Sequence, residues 1–420
     1  MLDREAAFGG HGAVSSFWEK LQPASRRSAH APANDTNYRL LVPLMLNVAI
    51  IQAVYAIVRV TTSYRAIELE LPVIWLGIIS ATFAILPIIF AVQVGRYLDR
   101  GRDAQAAWIG SSLLVIACAG FRFAAGSLPS LLLLTALLGI SHILIMASQQ
   151  MLCVRCTGPR GRDAAFGNYV IASAVGQGLG PYLVAWAGGS ATLPPTDRLF
   201  AIGLVVSLGS LATAAAIRPA PDHMTRAKSK EVVPLRELLR QRGLMAYLVA
   251  SVITMAAQDL VTIYLPLLGA EKNINVRDIG SLLTVRSVAA LLSRMGYVRI
   301  IALVGRRPLT LASMVGSAIG FACLALPVKL PVLFAAMTLT GIALGIATTL
   351  SLTNVVDLAS PASMGTVMSL RNTGNRIGQM AVPFAASLIA AASGVGGIFL
   401  IIALSLVVSG AAVHFSAEDR

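Results

Sequence analysis

Long apolar runs dominate the hydropathy pattern of this chain, and short polar or basic stretches separate them. Most runs reach the roughly 20 residues that an α-helix needs to cross a bilayer. They lack the sustained apolar–polar alternation of a transmembrane β-strand. Twelve spans follow, at 40–62, 73–95, 105–125, 129–152, 164–187, 199–217, 244–268, 279–300, 308–327, 330–356, 363–392 and 394–415. The pattern predicts an all-α membrane protein: 12 transmembrane helices in two six-helix bundles, residues 39–218 and 243–416. Residues 1–38 are polar, mixed in charge and rich in Ser, Ala and Gly, and read as a disordered tail. Residues 219–242 form a basic linker. Within it Pro234 opens a short amphipathic helix, with Leu235, Leu238 and Leu239 on one side and Arg236, Glu237 and Arg240 on the other. Such a helix lies along a membrane surface.

Glycine spacing makes the two halves pseudo-symmetric. Gly167, Gly176 and Gly180, the last followed by Pro181, recur as Gly365, Gly374 and Gly378, and 365 − 167, 374 − 176 and 378 − 180 are each 198. Shared offsets of nearly half the chain point to an internal duplication. In lipid, helices gain little from burying apolar surface against each other, so small residues that permit close approach matter. Gly176 and Gly180, four apart, share a helix face and form a groove; Gly167 falls on roughly the opposite face. Span 5 is therefore expected to pack closely on two sides, and Pro181 to bend it.

Composition agrees with a membrane protein: 56% of the 420 residues are hydrophobic and 12% charged, against about 25% charged in ordinary soluble domains. The net charge of +14 raises nucleic-acid binding as an alternative, which its placement excludes. One set of loops carries Arg96, Arg100, Arg102, Arg155, Arg160, Arg162, the linker's basic residues, Arg299, Arg306 and Arg307. The alternate loops carry only Arg65, Arg198, Lys272, Arg277 and Lys329. The positive-inside rule puts both termini and the linker in the cytoplasm, with the bundles in the inner (plasma) membrane. Arg26-Arg27 precedes no short apolar core with a cleavage site, so the first run stays as span 1.

Two six-helix halves, a basic central loop and cytoplasmic termini resemble the major facilitator superfamily over residues 40–415. The stretch Gly95-Arg96-Tyr97-Leu98-Asp99-Arg100-Gly101-Arg102 is similar to that family's first cytoplasmic loop motif, with one residue fewer before the second glycine. The span 5 ladder is similar to the motif of the family's antiporters, without the Gly-Gly pair that follows its Gly-Pro. Thr135 stands four residues before Gly139, where the span 4 motif has an arginine. The resemblance implies a latch in which Asp99, with Gly95, Arg100 and Arg102, meets the N-terminal end of span 11. A carboxylate suits that positive helix end, and the contact would break when the halves rock. The alternative is a solvated Asp99 paired with Arg100 or Arg102.

Ionisable residues inside spans are costly and mark cavities or ion pairs. They are Arg59, His142, Asp259, Arg286, Arg371 and Arg376, with Arg122 and Arg294 near enough to span ends to snorkel and Asp357 ending span 10. Arg59 can also snorkel. Arg286 and Arg371 lie deeper, and each can pair with Asp259 or hold an anion by a bidentate fork. Asp259 is the leading proton site, with Gln258 as a hydrogen-bonding neighbour; the alternative is a permanent salt bridge with an arginine. His142 can titrate, although a lone helical histidine is more often a packing residue.

Other chemistry finds no support. Cys153-x-x-Cys156 has no second pair, and no Walker loop, His-Glu-x-x-His pair or Gly-x-Ser-x-Gly elbow is present. An enzyme is not expected, nor any cofactor, metal or nucleic acid. The expectation is a secondary active transporter working by alternating access, exporting a small organic solute or drug-like compound in exchange for protons. The alternatives are proton-coupled import of an anionic metabolite, favoured by the buried arginines, and a non-transporting sensor.

Overall fold

The computed structural model describes residues 38–98, 100–155, 162–217, 243–358 and 364–418. The expected N-terminal tail, the 219–242 linker with its amphipathic helix, Asp99 and Cys156 lie outside the described residues. The first half consists of α1 (Tyr38–Glu68), α2 (Val73–Leu98), α3 (Asp103–Ala124), α4 (Leu128–Arg155), α5 (Arg162–Gly188) and α6 (Thr196–Ala216). The second half opens with α7 (Leu244–Glu271), α8 (Val276–Val304), α9 (Arg306–Ala325) and α10 (Leu330–Leu358). The stretch Met364–Glu418 is interrupted at Gly394, whose φ of 75° and ψ of 172° break the helical path. A side chain would resist that positive φ, and the break separates α11 (364–393) from α12 (395–418).

Among the described residues, ten helical stretches are long and apolar enough to cross a membrane, and one of them, Leu370–Phe415, takes in most of both α11 and α12. The helix outside this set is α8, which carries Arg277, Asp278, Arg286, Arg294 and Arg299. It lies between α5 and α10, so its charges have protein to face. Helix α1 continues to Glu68, beyond the expected end at 62, and this places Arg59 well inside the helix rather than at a snorkelling end.

Helix direction alternates, so the bundle has a terminus side, where α1 starts, and a far side, where α1 ends. The halves meet through α1 against α7, α5 against α8, and α2 against α11. Beyond mid-depth they are joined. Val276 donates its backbone N–H to Ala191 O (2.9 Å) and Arg277 to Gly189 O (3.2 Å). Gly77 lies against Pro383 and Ser387, and Gly280 against Pro181 and Ala185. One large apolar core spans both halves there, including Ile57, Leu76, Val184, Leu260, Ile279 and Ala386. Towards the terminus side the described core splits. Leu44, Leu152 and Tyr169 cluster within the first half; Leu244, Val355 and Val367 cluster within the second. Among the described residues the molecule is therefore closed on the far side and parted on the terminus side.

Candidate functional site: a charged cavity between the halves

A cavity of about 200 Å³ lies between the halves, near the middle of the helices that line it. The first half contributes Gln52, Tyr55 and Arg59 from α1, Phe83 from α2, His142 from α4, and Gln177 and Pro181 from α5. The second contributes Gln258 and Asp259 from α7, Arg286 from α8 and Gln379 from α11.

Small residues position each wall. A Cβ added at Gly176 would stand 2.2 Å from Ala49 O, and one at Gly180 would stand 2.7 Å from Ala53 O. These glycines press α5 onto the turns of α1 that present Gln52, Tyr55 and Arg59. The duplicated pair acts alike: Gly378 and Gly374 pack α11 onto Val252 of α7, a Cβ at Gly378 falling 2.5 Å from its Cγ1. On α4, Gly139 abuts the Phe83 carbonyl, and on α10, Gly341 abuts that of Arg286. Gly167 has no described neighbour within 4 Å of an added Cβ, and the surroundings of Gly365 lie outside the described residues. Pro181 sits within the helix and on the cavity wall.

Asp259 accepts from Arg59, Oδ1 to Nη1 at 2.7 Å, in an ion pair that bridges the halves. Sequence reasoning offered Arg286 or Arg371 as its partner. Arg59 takes that place because α1 adjoins α7 and extends past the expected span end. The pair is largely but not wholly buried, its side chains 19% and 14% exposed, and Arg59 also lies over the Phe83 ring at 5.1 Å. Gln258 turns away from Asp259 and donates to Thr348 Oγ1 on α10 at 2.7 Å. His142 lies edge-on to Tyr55 at 4.5 Å and tilted against Phe83 at 5.2 Å, its buried Nδ1 without a partner. Tyr55 shares a 2.9 Å hydrogen bond with Ser141.

Arg286 reaches the cavity wall, yet its guanidinium has no carboxylate within ion-pair distance among the described residues, and its buried Nε has no acceptor. Arg371 is buried between α11 and α10, its Nη2 3.5 Å from Ser351 Oγ, and is not on the cavity wall. Arg376 donates to Gln379 Oε1 at 3.1 Å. At the terminus side of α2, Gly95 has open space and Arg102 stacks on Tyr97 at 5.5 Å. A latch from this loop to α11 requires that side to close.

Sequence reasoning did not single out Gln52, Gln177 or Gln379, although polar amides in apolar helices are a readable signal. Nothing in the sequence marked Tyr55 and Phe83 as wall residues. The arrangement can hold an oxyanion on guanidinium donors and can load or release a proton at one carboxylate.

Twelve described helices in two halves, with a polar, charged cavity between them, define a membrane transport protein. The sequence matches the Major Facilitator Superfamily over residues 44–273 and 247–420, and the chain belongs to that family. It is a multi-pass integral membrane transporter rather than an enzyme. Among solved structures it is similar to the nucleoside transporter NupG, at 13% identity and a TM-score of 0.72 over 91% of this chain and 100% of that one. A bacterial homologue of the human lysosomal transporter Spinster, inward-facing and occupied, matches at 14% identity, with a TM-score of 0.73 over 92% and 98%. The xylose transporter XylE from E. coli, inward open, matches at 14% identity, with a TM-score of 0.72 over 90% and 95%. At these identities the likeness is one of fold. No curated protein matches the chain.

Proposed function

We propose that the protein is a proton-coupled secondary transporter of a small organic solute, working by alternating access across the inner membrane. The terminus side is the cytoplasmic side in this reading, on the distribution of Lys and Arg in the loops. One observation carries it: a cavity closed on the far side and approached from the parted side, bridged by a single described ion pair between Arg59 and Asp259. A carboxylate that alternates between an arginine and a proton can link proton movement to the rocking of the halves. Gly77, Gly188 and Gly280 supply the close contacts that seal the far side.

Export in exchange for protons is the direction favoured by the α5 glycine ladder, whose Gly176 and Gly180 seat that helix on α1. The test is flux in proteoliposomes under an imposed pH gradient. Opposite movement of solute and proton supports export, joint movement supports uptake, and binding without flux would leave only a sensor. Asp259→Asn is expected to abolish gradient-driven accumulation and spare exchange; retained accumulation removes Asp259 as the proton site.

A further inference from the structure

Three arginines from three helices gather at one cavity that holds a single carboxylate among the described residues. Arg59 of α1 is bonded to Asp259, Arg286 of α8 lines the same cavity as that carboxylate, and Arg376 of α11 is bonded to Gln379 of its wall. The bonded pair cancels itself. Arg286 and Arg376 have no carboxylate of their own among the described residues, and His142 and Tyr55 are the other titratable side chains facing the group. An uncompensated cation away from bulk water is unfavourable, so such groups are paired or held for a ligand. A guanidinium that serves only packing normally spends its donors on carbonyls or carboxylates. Arg286 does not: its Nε is buried without an acceptor. One turn of α10 is glycine at Gly341, against the Arg286 carbonyl, which fixes where that side chain starts. Arg376 does not itself line the cavity, but it spends one donor on Gln379, which does.

We infer that the solute is an organic anion carrying two negative charges, held on the second half by Arg286 and Arg376, and that it binds together with a proton on Asp259. This rests on the reading of the protein as a proton-coupled transporter, takes joint movement of solute and proton in place of the exchange favoured by the α5 ladder, and names the cargo. The coupling follows from charge. A negative solute beside Asp259 competes for the same arginines and favours the protonated carboxyl. By linkage, a proton on Asp259 favours the anion to the same degree. A cationic solute would do the reverse and drive the proton off, which is the logic of exchange. The sign of proton movement on binding therefore separates joint transport from exchange before any flux is measured.

The test uses the purified full-length protein in detergent, with succinate and inorganic phosphate as dianionic probes, lactate as a monoanion, ribose as a neutral solute and tetraphenylphosphonium as a cation. Thermal stabilisation gives affinity, and a pH dye in weakly buffered solution gives proton uptake. At least one dianion should stabilise the protein, bind more tightly than lactate and take up protons. Arg286→Gln and Arg376→Gln should each weaken that binding by at least about tenfold. Arg286→Lys should recover part of it, and Arg122→Gln, at the far end of α3, should leave it unchanged; these two guard against misfolding as the explanation. Stabilisation by none of the anions overturns the inference. So does preference for ribose or the cation, proton release on binding, or dianion binding that ignores Arg286→Gln. Anion binding with proton uptake but no flux in proteoliposomes would preserve this inference and remove the transport reading. Gradient-driven flux of a neutral or cationic solute would do the opposite.

Discussion

Adding a single methyl group at Gly77 or Gly280 should turn the transporter towards its opposite conformation. At Gly77 the new carbon would stand 2.3 Å from Ser387 Oγ and 2.5 Å from Pro383 O, across the contact between α2 and α11. At Gly280 it would stand 2.7 Å from both Pro181 O and Ala185 N, across the contact between α8 and α5. Comfortable separation between such atoms is about 3.5 Å, so each helix pair must open by about 1 Å. The serine can rotate, but the proline carbonyl and the α5 backbone cannot give way without moving a helix. Overpacking of this kind costs about 1–3 kcal/mol. Both contacts join the halves only where the far side is closed, so the strain falls on this state. The equilibrium should then move by roughly 5- to 150-fold per site. The two sites lie on different helix pairs, so the double variant should shift it further. The assay is thiol labelling in a background with the four native cysteines replaced. A cysteine at Gln379, on the cavity wall, reports access from the terminus side; one at Ile263, buried at 4% exposure beyond Arg59, reports opening of the far side. Gly77→Ala should slow the first and speed the second. Gly320→Ala is the control, because its added methyl would strike Thr340 within the second half alone. Unchanged labelling in Gly77→Ala and Gly280→Ala, or an equal change in Gly320→Ala, would refute the assignment of these glycines to far-side closure.

Two further outcomes follow from the cavity walls. Gly341→Ala would place a carbon 2.3 Å from Arg286 O and 2.8 Å from Ala289 Cβ, pushing α8 off α10. Dianion affinity should drop while Gln379 labelling stays near the parent level, measured by thermal shift and thiol access; unaltered affinity would show that α10 does not position Arg286. His142→Phe keeps a ring beside Tyr55 and Phe83 and removes the buried Nδ1 that lacks a partner. Relief of an unsatisfied polar atom is worth about 1–3 kcal/mol, so the thermal midpoint should rise, and a fall would mean that His142 is bonded in solution.

The bundle architecture was legible because a bilayer leaves backbone few choices: long apolar runs must be helices. The break at Gly394 falls at the boundary drawn between spans 363–392 and 394–415. The offset of 198 was legible as well, and it corresponds to one packing rule used twice, α5 on α1 and α11 on α7. What the sequence could not show was which charges meet. Depth can be read along one helix, but the facing partner depends on which helices are adjacent and where each one ends. Arg59 was placed near a span end and proved to be the partner of Asp259, six residues of additional helix having moved it inward.

The same offset shows where the duplication stopped being symmetric. The α5 positions that correspond to Arg371, Arg376 and Gln379 are Ser173, Gly178 and Pro181. The glycines that seat each helix were kept in both copies, while the positions near the cavity diverged. Gly178, at the Arg376 position, lets Ser287 of α8 approach to 3.7 Å of where its Cβ would be, closing the halves around mid-depth. Arg376 in the other copy instead reaches Gln379 on the cavity wall. A scaffold that rocks needs its packing preserved in both halves, whereas a site that binds one asymmetric solute needs the two walls to differ. Arg286 and Arg376, neither with a carboxylate partner among the described residues, belong to the second half, while the first supplies Arg59 and the aromatic wall of Tyr55, Phe83 and His142. An anionic end of the solute should therefore face α8 and α11, and its uncharged body α1, α2 and α4.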